Sequence, residues 1–368
     1  MKISNISTER ISRLQAQIVR AGVDMAAIAP TANMRYLLGF APLADERLCA
    51  LLVTPQATRL VVPELNADQV EAHTGMPAMR WGDAAGPDQV LAQAAAELGL
   101  KPNGVLAADD SMRADALLTL QETIRPAKSV VAGNLMAPLR MCKAEAEIEA
   151  LARAAALADQ ALLAGVAACQ PGVTEREVAN VIATYFRDNG AETVDFTVVA
   201  SGPHGAFPHH ETGDWRLQTG DTIILDIGAT LAGYRSDITR VVQLGEPSAE
   251  VKAVYQAVLE ANQRGRAAAV AGAQAREVDR AARSAIEEAG YGPLFPHRSG
   301  HGLGLEIHEP PWITAASETI LEPGMVFSVE PGVYLQHKFG IRIEDIVVVT
   351  AGACRCLTGL DHNLIIKA

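Results

Sequence analysis

Residues 221–242 read D-T-I-I-L-D-I-G-A-T-L-A-G-Y-R-S-D-I-T-R-V-V, and residues 324–349 read G-M-V-F-S-V-E-P-G-V-Y-L-Q-H-K-F-G-I-R-I-E-D-I-V-V-V. Each is an apolar run, a turn and a second apolar run, the pattern of a β-hairpin. The first turn falls near Ala232 and Gly233, with Asp226 and Asp237 equally far from it; Glu330 and Glu344 are equidistant from His337 in the second. Each hairpin is therefore expected to bring two acids face to face. A single Asp or Glu is usually solvated. Acids that follow T-I-I-L and V-F-S-V sit in buried strand, and four converging carboxylates cannot all stay ionised there unless positive charge lies between them. Two divalent cations would cancel that charge. Oxygen-rich ligation with one imidazole, His301, suits Mn(II), Co(II), Fe(II) or Zn(II), and paired ions roughly 3.5–4 Å apart acidify the solvent between them. That chemistry points to hydrolysis.

The plan recurs upstream of each hairpin. A shift of 100 residues aligns Gly172, Arg176, Glu177, Val178 and Gly190 with Gly272, Arg276, Glu277, Val278 and Gly290, and a shift of 104 aligns Leu217, Gly220 and Asp226 with Leu321, Gly324 and Glu330. Both halves run helix, turn, helix, loop with histidines, hairpin with two acids, as an internal duplication would. A pseudo-twofold arrangement then sets the hairpins side by side, with the ions where they meet.

Six of the nine histidines precede the hairpins, in S-G-P-H-G-A-F-P-H-H (201–210) and P-H-R-S-G-H-G-L-G-L-E-I-H-E-P-P (296–311). Imidazoles beside a metal can donate where negative charge develops during amide hydrolysis, which singles out His209, His297, His301 and His308. His210 would point away from its neighbour on an extended chain; His73, His337 and His362 are read as surface or core residues. Gly300, Gly302 and Gly304 are expected to admit close approach of a ligand and positive φ.

The remaining sequence bounds the class. A chain of 368 residues with 49% hydrophobic and 20% charged residues is long enough for two globular domains and shows no disordered composition. Its net charge of -12 argues against nucleic acid and anionic membrane surfaces as partners. The N-terminus lacks a secretory signal pattern and no run of ~18 apolar residues is evident. Five cysteines without paired metal spacing fit a reducing cytoplasm. Residues 1–135 read as a mixed α/β unit, with a helix around Glu9–Ala21 ending at Gly22, the strand M-A-A-I-A, and C-A-L-L-V-T with T-R-L-V-V-P as a hairpin about residues 55–57. Val130 to Lys143, with Gly133 and Pro138, reads as a linker, so the second domain is set at 136–368.

The motifs D-I-G-A with Y-R-S-D-I-T-R, S-G-H-G-L-G-L-E-I-H-E-P-P, V-E-P-G-V-Y and G-I-R-I-E-D resemble those of the pita-bread-fold metallopeptidases, the Xaa-Pro dipeptidases (prolidases) and Xaa-Pro aminopeptidases. The resemblance extends in layout over the whole chain. It implies an α+β fold, a duplicated pita-bread catalytic domain after a smaller α/β creatinase/prolidase-type domain, and a homodimer in which that domain partly closes the neighbour's cleft. Carried onto this sequence, it implies that Asp226 holds one ion, His301 and Glu330 the other, and Asp237 and Glu344 bridge them. Mn(II) is the expected ion, with Co(II), Zn(II) or Fe(II) as alternatives. Glu330 would also shuttle a proton from the attacking hydroxide-forming water to the leaving prolyl nitrogen. His209 and His308 would steady the intermediate, while His297 and Arg342 would be second-sphere or substrate-carboxylate groups. Tyr234 matches a family aromatic near the metals; His204 departs from the asparagine that relatives commonly carry. The implied reaction is hydrolysis of the Xaa-Pro bond in proline-containing di- or oligopeptides, a tertiary amide that general peptidases handle badly, with dipeptidase the preferred assignment. Three alternatives stay open: an aminopeptidase acting on longer peptides, another metal-dependent hydrolase of the fold such as one resembling ectoine hydrolase, and a non-catalytic peptide-binding module.

Overall fold

The N-terminal helix starts before Glu9 because Ser4 caps it: the Ser4 hydroxyl accepts from the Ser7 N–H at 3.0 Å. Helix α1 (Asn5–Ala21) then stops at Gly22, whose φ of 65° turns the chain out of the helix. The computed structural model describes residues 4–100 and 102–368, and its contacts divide the chain into two units between Arg140 and Met141. In the first, strands β1 (Met25–Ile28), β2 (Ala50–Val53), β3 (Thr58–Pro63), β4 (Ala78–Trp81), β5 (Val105–Ala108) and β6 (Lys128–Val131) form one mixed sheet in the order β4-β3-β2-β1-β5-β6. The expected β2–β3 hairpin is present, with Val53 opposite Thr58. Helices α2 (Ala32–Leu38), α3 (Glu64–Thr74), α4 (Asp88–Glu97) and α5 (Ala114–Ile124) connect the strands.

The stretch from Val130 to Lys143 holds the division between the two units, but most of it is helix and not an open linker. Helix α6 (Gly133–Arg140) occupies it, burying Leu135, Met136 and Leu139, and the Arg140 guanidinium donates to Asn33 at 2.7 Å. Gly133 and Pro138 read as breakers, yet burial of an apolar face outweighs the loss of the Pro138 donor in so short a helix.

The second unit repeats one plan. Helices α7 (Glu145–Ala168) and α8 (Glu175–Asp188) lead to β7 (Thr193–Ser201), β8 (Thr222–Leu231), β9 (Tyr234–Arg235) and β10 (Ile238–Leu244). Helices α9 (Ala249–Ala268) and α10 (Ala275–Glu288) lead to β11 (Gly300–Gly302), β12 (Glu309–Ile313), β13 (Val326–Val329), β14 (Gly332–Leu335), β15 (Phe339–Arg342) and β16 (Asp345–Val348), followed by β17 (Arg355–Cys356) and β18 (Ile365–Lys367). One sheet runs β18-β10-β8-β7 with β9 on β8, another β12-β11-β13-β16-β17, and β14 pairs with β15. The aligned residues make equivalent bonds: Gly172 N–H donates to Leu217 O and Gly272 N–H to Leu321 O, both at 2.8 Å. The isolated bridges Thr174–Arg216 and Gln274–Ile320 match in the same way.

Helix α7 corrects one expectation. It is long and apolar enough to cross a membrane by length and composition, with a mean hydropathy of 1.3 over its best stretch. Its apolar face is instead packed within the unit, where Leu151, Ala154, Ala155, Ala158 and Leu162 are buried, the disposition of a core helix.

Candidate functional site

The second hairpin has the register read from its sequence. Val329 pairs with Asp345 and Gly332 with Arg342, so Glu330 and Glu344 lie directly across from each other, and His337 takes the positive φ of 64° at the turn. The first is offset. Leu231 pairs with Tyr234 through a two-residue turn in which Ala232 and Gly233 both have positive φ, as hairpin turns of that length require. This register places Asp226 opposite Thr239, with Asp237 two residues along the strand on the same face. The two aspartates are diagonal neighbours, not facing partners. A bridge from Thr239 to Glu344 then joins the hairpins, and the Thr239 hydroxyl donates to Glu344 Oε2 at 2.7 Å.

Where the hairpins meet, a cavity of about 540 Å³ is lined by Asp226, Asp237, His301, Glu330, Glu344, His209, His297, His308, Arg298 and Arg342, with Phe196, Pro208 and Ile307 as its apolar wall. Ligand-type atoms of Asp237, His301 and Glu344 lie within 4.8 Å of one another. His301 Nε2 is 3.3 Å from Glu330 and 3.7 Å from Asp237. Its Nδ1 contacts the Gly302 carbonyl at 3.1 Å, and a carbonyl can only accept, so Nδ1 carries the proton and Nε2 turns a lone pair toward the acids. Burial, then His308, lowers the His301 pKa to about 3 and keeps the ring neutral.

The acids respond in the opposite direction. Burial first, then Glu344, Asp226 and Glu330, raises Asp237 well above the carboxylate range; burial, then Glu330 and Asp226, does the same for Glu344. Burial raises Glu330 to about 7, although Arg342 opposes the shift. Asp226 Oδ1 is buried with no hydrogen-bond partner. An orphan carboxylate oxygen, a bare imidazole nitrogen and crowded acids are what a polynuclear cation site leaves in its protein ligands. The residues fit two divalent ions.

Behind them runs a chain of hydrogen bonds. Arg342 donates to Asp226, to Thr239 Oγ1 at 3.3 Å and to the Tyr334 hydroxyl at 2.8 Å. Tyr334 in turn donates to His297 Nε2 at 2.8 Å, because His297 Nδ1 already donates to the Arg298 carbonyl at 2.7 Å. Burial lowers His297 to about 4, so it too is neutral. With their polar atoms engaged inside the protein, Arg342 and His297 hold Asp226 and Tyr334 in place, which favours the second-sphere expectation over a substrate-carboxylate contact. His209 and His308 lie at the exposed rim, with the His308 ring edge-on to His301 at 4.2 Å.

Tyr234 requires a correction: it is absent from the cavity wall, and its hydroxyl donates to Glu147 on α7 at 2.8 Å. The tyrosine tied to the site is Tyr334, which stands behind the cavity wall and bonds to its lining residues His297 and Arg342. Its signal was the V-E-P-G-V-Y motif, where alternation along the strand carries Tyr334 to the same face as Arg342 across the ladder. Arg298, stacked on Trp312, and Ser328, which donates to Glu330 at 3.2 Å, were also missed. Their neighbours are set by strand pairing, and no spacing along the chain marks them. The glycine loop has another role than expected, since Gly300, Gly302 and Gly304 lack positive φ. A Cβ on Gly300 would lie 1.9 Å from Ser328 O, so glycine allows β11 to approach β13.

The metallopeptidase family M24 model matches residues 149–351, and the creatinase/prolidase N-terminal domain model matches residues 10–142. The chain belongs to metallopeptidase family M24. This M24 enzyme is 37% identical over 369 residues to a probable dipeptidase PepE of Mycobacterium tuberculosis, covering 99% of this chain and 97% of that one. It is 32% identical to a Xaa-Pro dipeptidase of Pyrococcus horikoshii, covering 98% and 100% of the two chains. A solved prolidase from Thermococcus sibiricus superimposes on it with a TM-score of 0.93 at 36% identity, over 99% of this chain and 100% of that one. The M24 family implies divalent metal, and the two-domain layout expected from the motifs is that of its prolidases.

Proposed function

We propose that the chain is a Xaa-Pro dipeptidase that hydrolyses the bond preceding proline in dipeptides. The convergence of Asp226, Asp237, His301, Glu330 and Glu344 on one cavity, with Asp226 Oδ1 unpartnered, carries this reading; the prolidase relatives direct it to Xaa-Pro bonds. Two divalent ions, Mn(II) foremost and Co(II), Zn(II) or Fe(II) as alternatives, would be held by these five side chains and, when bound, supply Lewis acidity that acidifies water toward neutral pH.

The chain's own residues do the rest. Glu330, at the cavity wall beside His301, can take a proton from water and return it to the leaving prolyl nitrogen. Partial burial, with Arg298 and His209, lowers His308 and favours its neutral form. From the rim His308 and His209 donate hydrogen bonds to the carbonyl oxygen as negative charge develops there. Arg342 and His297, through Tyr334, keep Asp226 aligned. The same reading places the enzyme in the cytoplasm, where its five free cysteines stay reduced, and takes it to be a homodimer. An Xaa-Pro aminopeptidase would use the same side chains on longer peptides. Rates on Ala-Pro and on a longer Xaa-Pro-Xaa peptide, measured with Mn(II)-loaded protein, separate the two: faster cleavage of the dipeptide is expected, and preference for the longer peptide would overturn the assignment. Inactivity on both would favour the binding module.

A further inference from the structure

The two halves of the M24 domain tie their histidine loops down in parallel, and the difference between the ties points to a third metal site. In the second half, Asp279 on α10 is 1% exposed and accepts from the Ser299 N–H at 3.2 Å and the Ser299 hydroxyl at 2.7 Å. In the first, Glu175 on α8 is fully buried and accepts from the Ser201 N–H at 2.9 Å and the Ser201 hydroxyl at 2.7 Å. The charges that answer these buried carboxylates differ. Asp279 is paired with the permanently cationic Arg283 at 3.2 Å. Among the described residues no lysine or arginine pairs with Glu175; its titratable partners are His204 Nδ1 at 3.0 Å and His210 Nε2 at 2.9 Å. Both imidazoles aim a ring nitrogen at one carboxylate, and the three ligand-type atoms lie within 4.8 Å of one another.

We propose that Glu175, His204 and His210 form a further divalent metal site, separate from the paired-ion centre, that takes Zn(II). Two imidazoles and a carboxylate are a common zinc donor set that leaves a fourth position for solvent. A dication there supplies the positive charge that Arg283 supplies in the other half. Ser201, with the Gly213 N–H at 3.3 Å, orients the carboxylate as supporting hydrogen bonds do around metal ligands. The side chains are reachable: His204 retains 29% and His210 12% of its exposure, and the His204 ring lies 4.9 Å from Trp215. His204 and His210 bracket the loop that carries His209 to the cavity rim, so an ion joining them fixes both ends of that loop.

The test uses the full chain carrying Asp237→Ala with Glu344→Ala, which weakens the paired-ion centre. Zn(II) titrated alone by calorimetry should saturate at one tight site per chain, and adding His204→Asn, which keeps an N–H for Glu175 but removes the ring nitrogen, should weaken that site at least tenfold. Co(II) should quench Trp215 fluorescence in this background and lose that effect with His204→Asn. Unchanged Zn(II) affinity in the His204→Asn protein would overturn the proposal. Should the double variant fail to fold, metal is counted in the otherwise native chain after dialysis against Zn(II): one ion fewer per chain in His204→Asn is expected, and equal counts would overturn it. A native chain that holds this one ion and no paired ions would instead count against the proposed peptidase centre alone.

Discussion

The two hairpins of the second unit have the same ancestry and unequal geometry. In the hairpin of β13 to β16 the acids Glu330 and Glu344 face each other across the ladder; in that of β8 to β10, Asp226 and Asp237 are diagonal. The offset opens a place beside Asp226 for Thr239, which reaches across to Glu344 and couples the sheets. Duplication thus reproduces the backbone, and a one-residue difference in turn placement decides which oxygens meet. The helix starts differ as well. Thr174 accepts from the Glu177 N–H while Glu177 accepts back from Thr174, whereas Gln274 at the matching position offers α10 no side-chain cap.

Removing one acid from either hairpin breaks the comparison most severely. Asp237→Ala and Glu344→Ala should each lower turnover of Ala-Pro by about 1,000-fold or more, some 4 kcal/mol of transition-state stabilisation, and reduce bound metal measured by elemental analysis. Full activity in one variant would show that its hairpin contributes no essential ligand.

The facing acids should also dominate the pH dependence of the metal-free protein. Glu330 is raised from 4.5 to about 7 on folding, so the folded state binds more protons than the unfolded state between those values. Its contribution is complete below about 4.5 and falls away as pH rises through about 7. Denaturant titrations should show Glu330→Gln removing that decline, an effect on the order of a few kcal/mol; His301, lowered to about 3, works the other way at acid pH, adding stability as pH rises from 3 toward 6.5. A decline unaltered by Glu330→Gln would assign it to Asp237 or Glu344.

The two tyrosines provide a sharper contrast. Tyr334→Phe should lower kcat or metal affinity roughly 10-fold by releasing His297 and Arg342 from each other, while Tyr234→Phe should leave kinetics intact and cost about 1 kcal/mol of stability through its bond to Glu147. Equal kinetic losses would mean that Tyr234 reaches the site after all. The smallest effect concerns the caps: Thr174→Ala should destabilise by about 1 kcal/mol, and Gln274→Thr should stabilise by about 0.5–1 kcal/mol, both read from thermal or chemical unfolding.

The paired ligands were legible because a hairpin converts separation along the chain into separation in space. Equidistance from His337 was enough to place Glu330 opposite Glu344. It was not enough for Asp226 and Asp237, since the turn centred between Ala232 and Gly233, both with positive φ, puts the pairing centre one residue beyond the midpoint of the two aspartates. The tyrosine was misassigned for a related reason: Tyr234 follows the first turn and points to α7, while Tyr334 lies across the ladder from the glycine that precedes Ile341. Helix α6 was hidden by Gly133 and Pro138, whose local preferences are overridden by burial of Leu135, Met136 and Leu139.

Local order along the chain thus determined the duplication, the hairpins and the five ligand-type residues, because periodicity and turn chemistry act over a few residues. Only tertiary packing decided that Arg342, Tyr334 and His297 form one hydrogen-bonded chain behind Asp226, and that Glu175, 29 and 35 residues from His204 and His210, shares one carboxylate between them. Such contacts depend on how separate elements approach in space, a choice made by burial summed over whole sheets and helices and not by any residue's immediate neighbours.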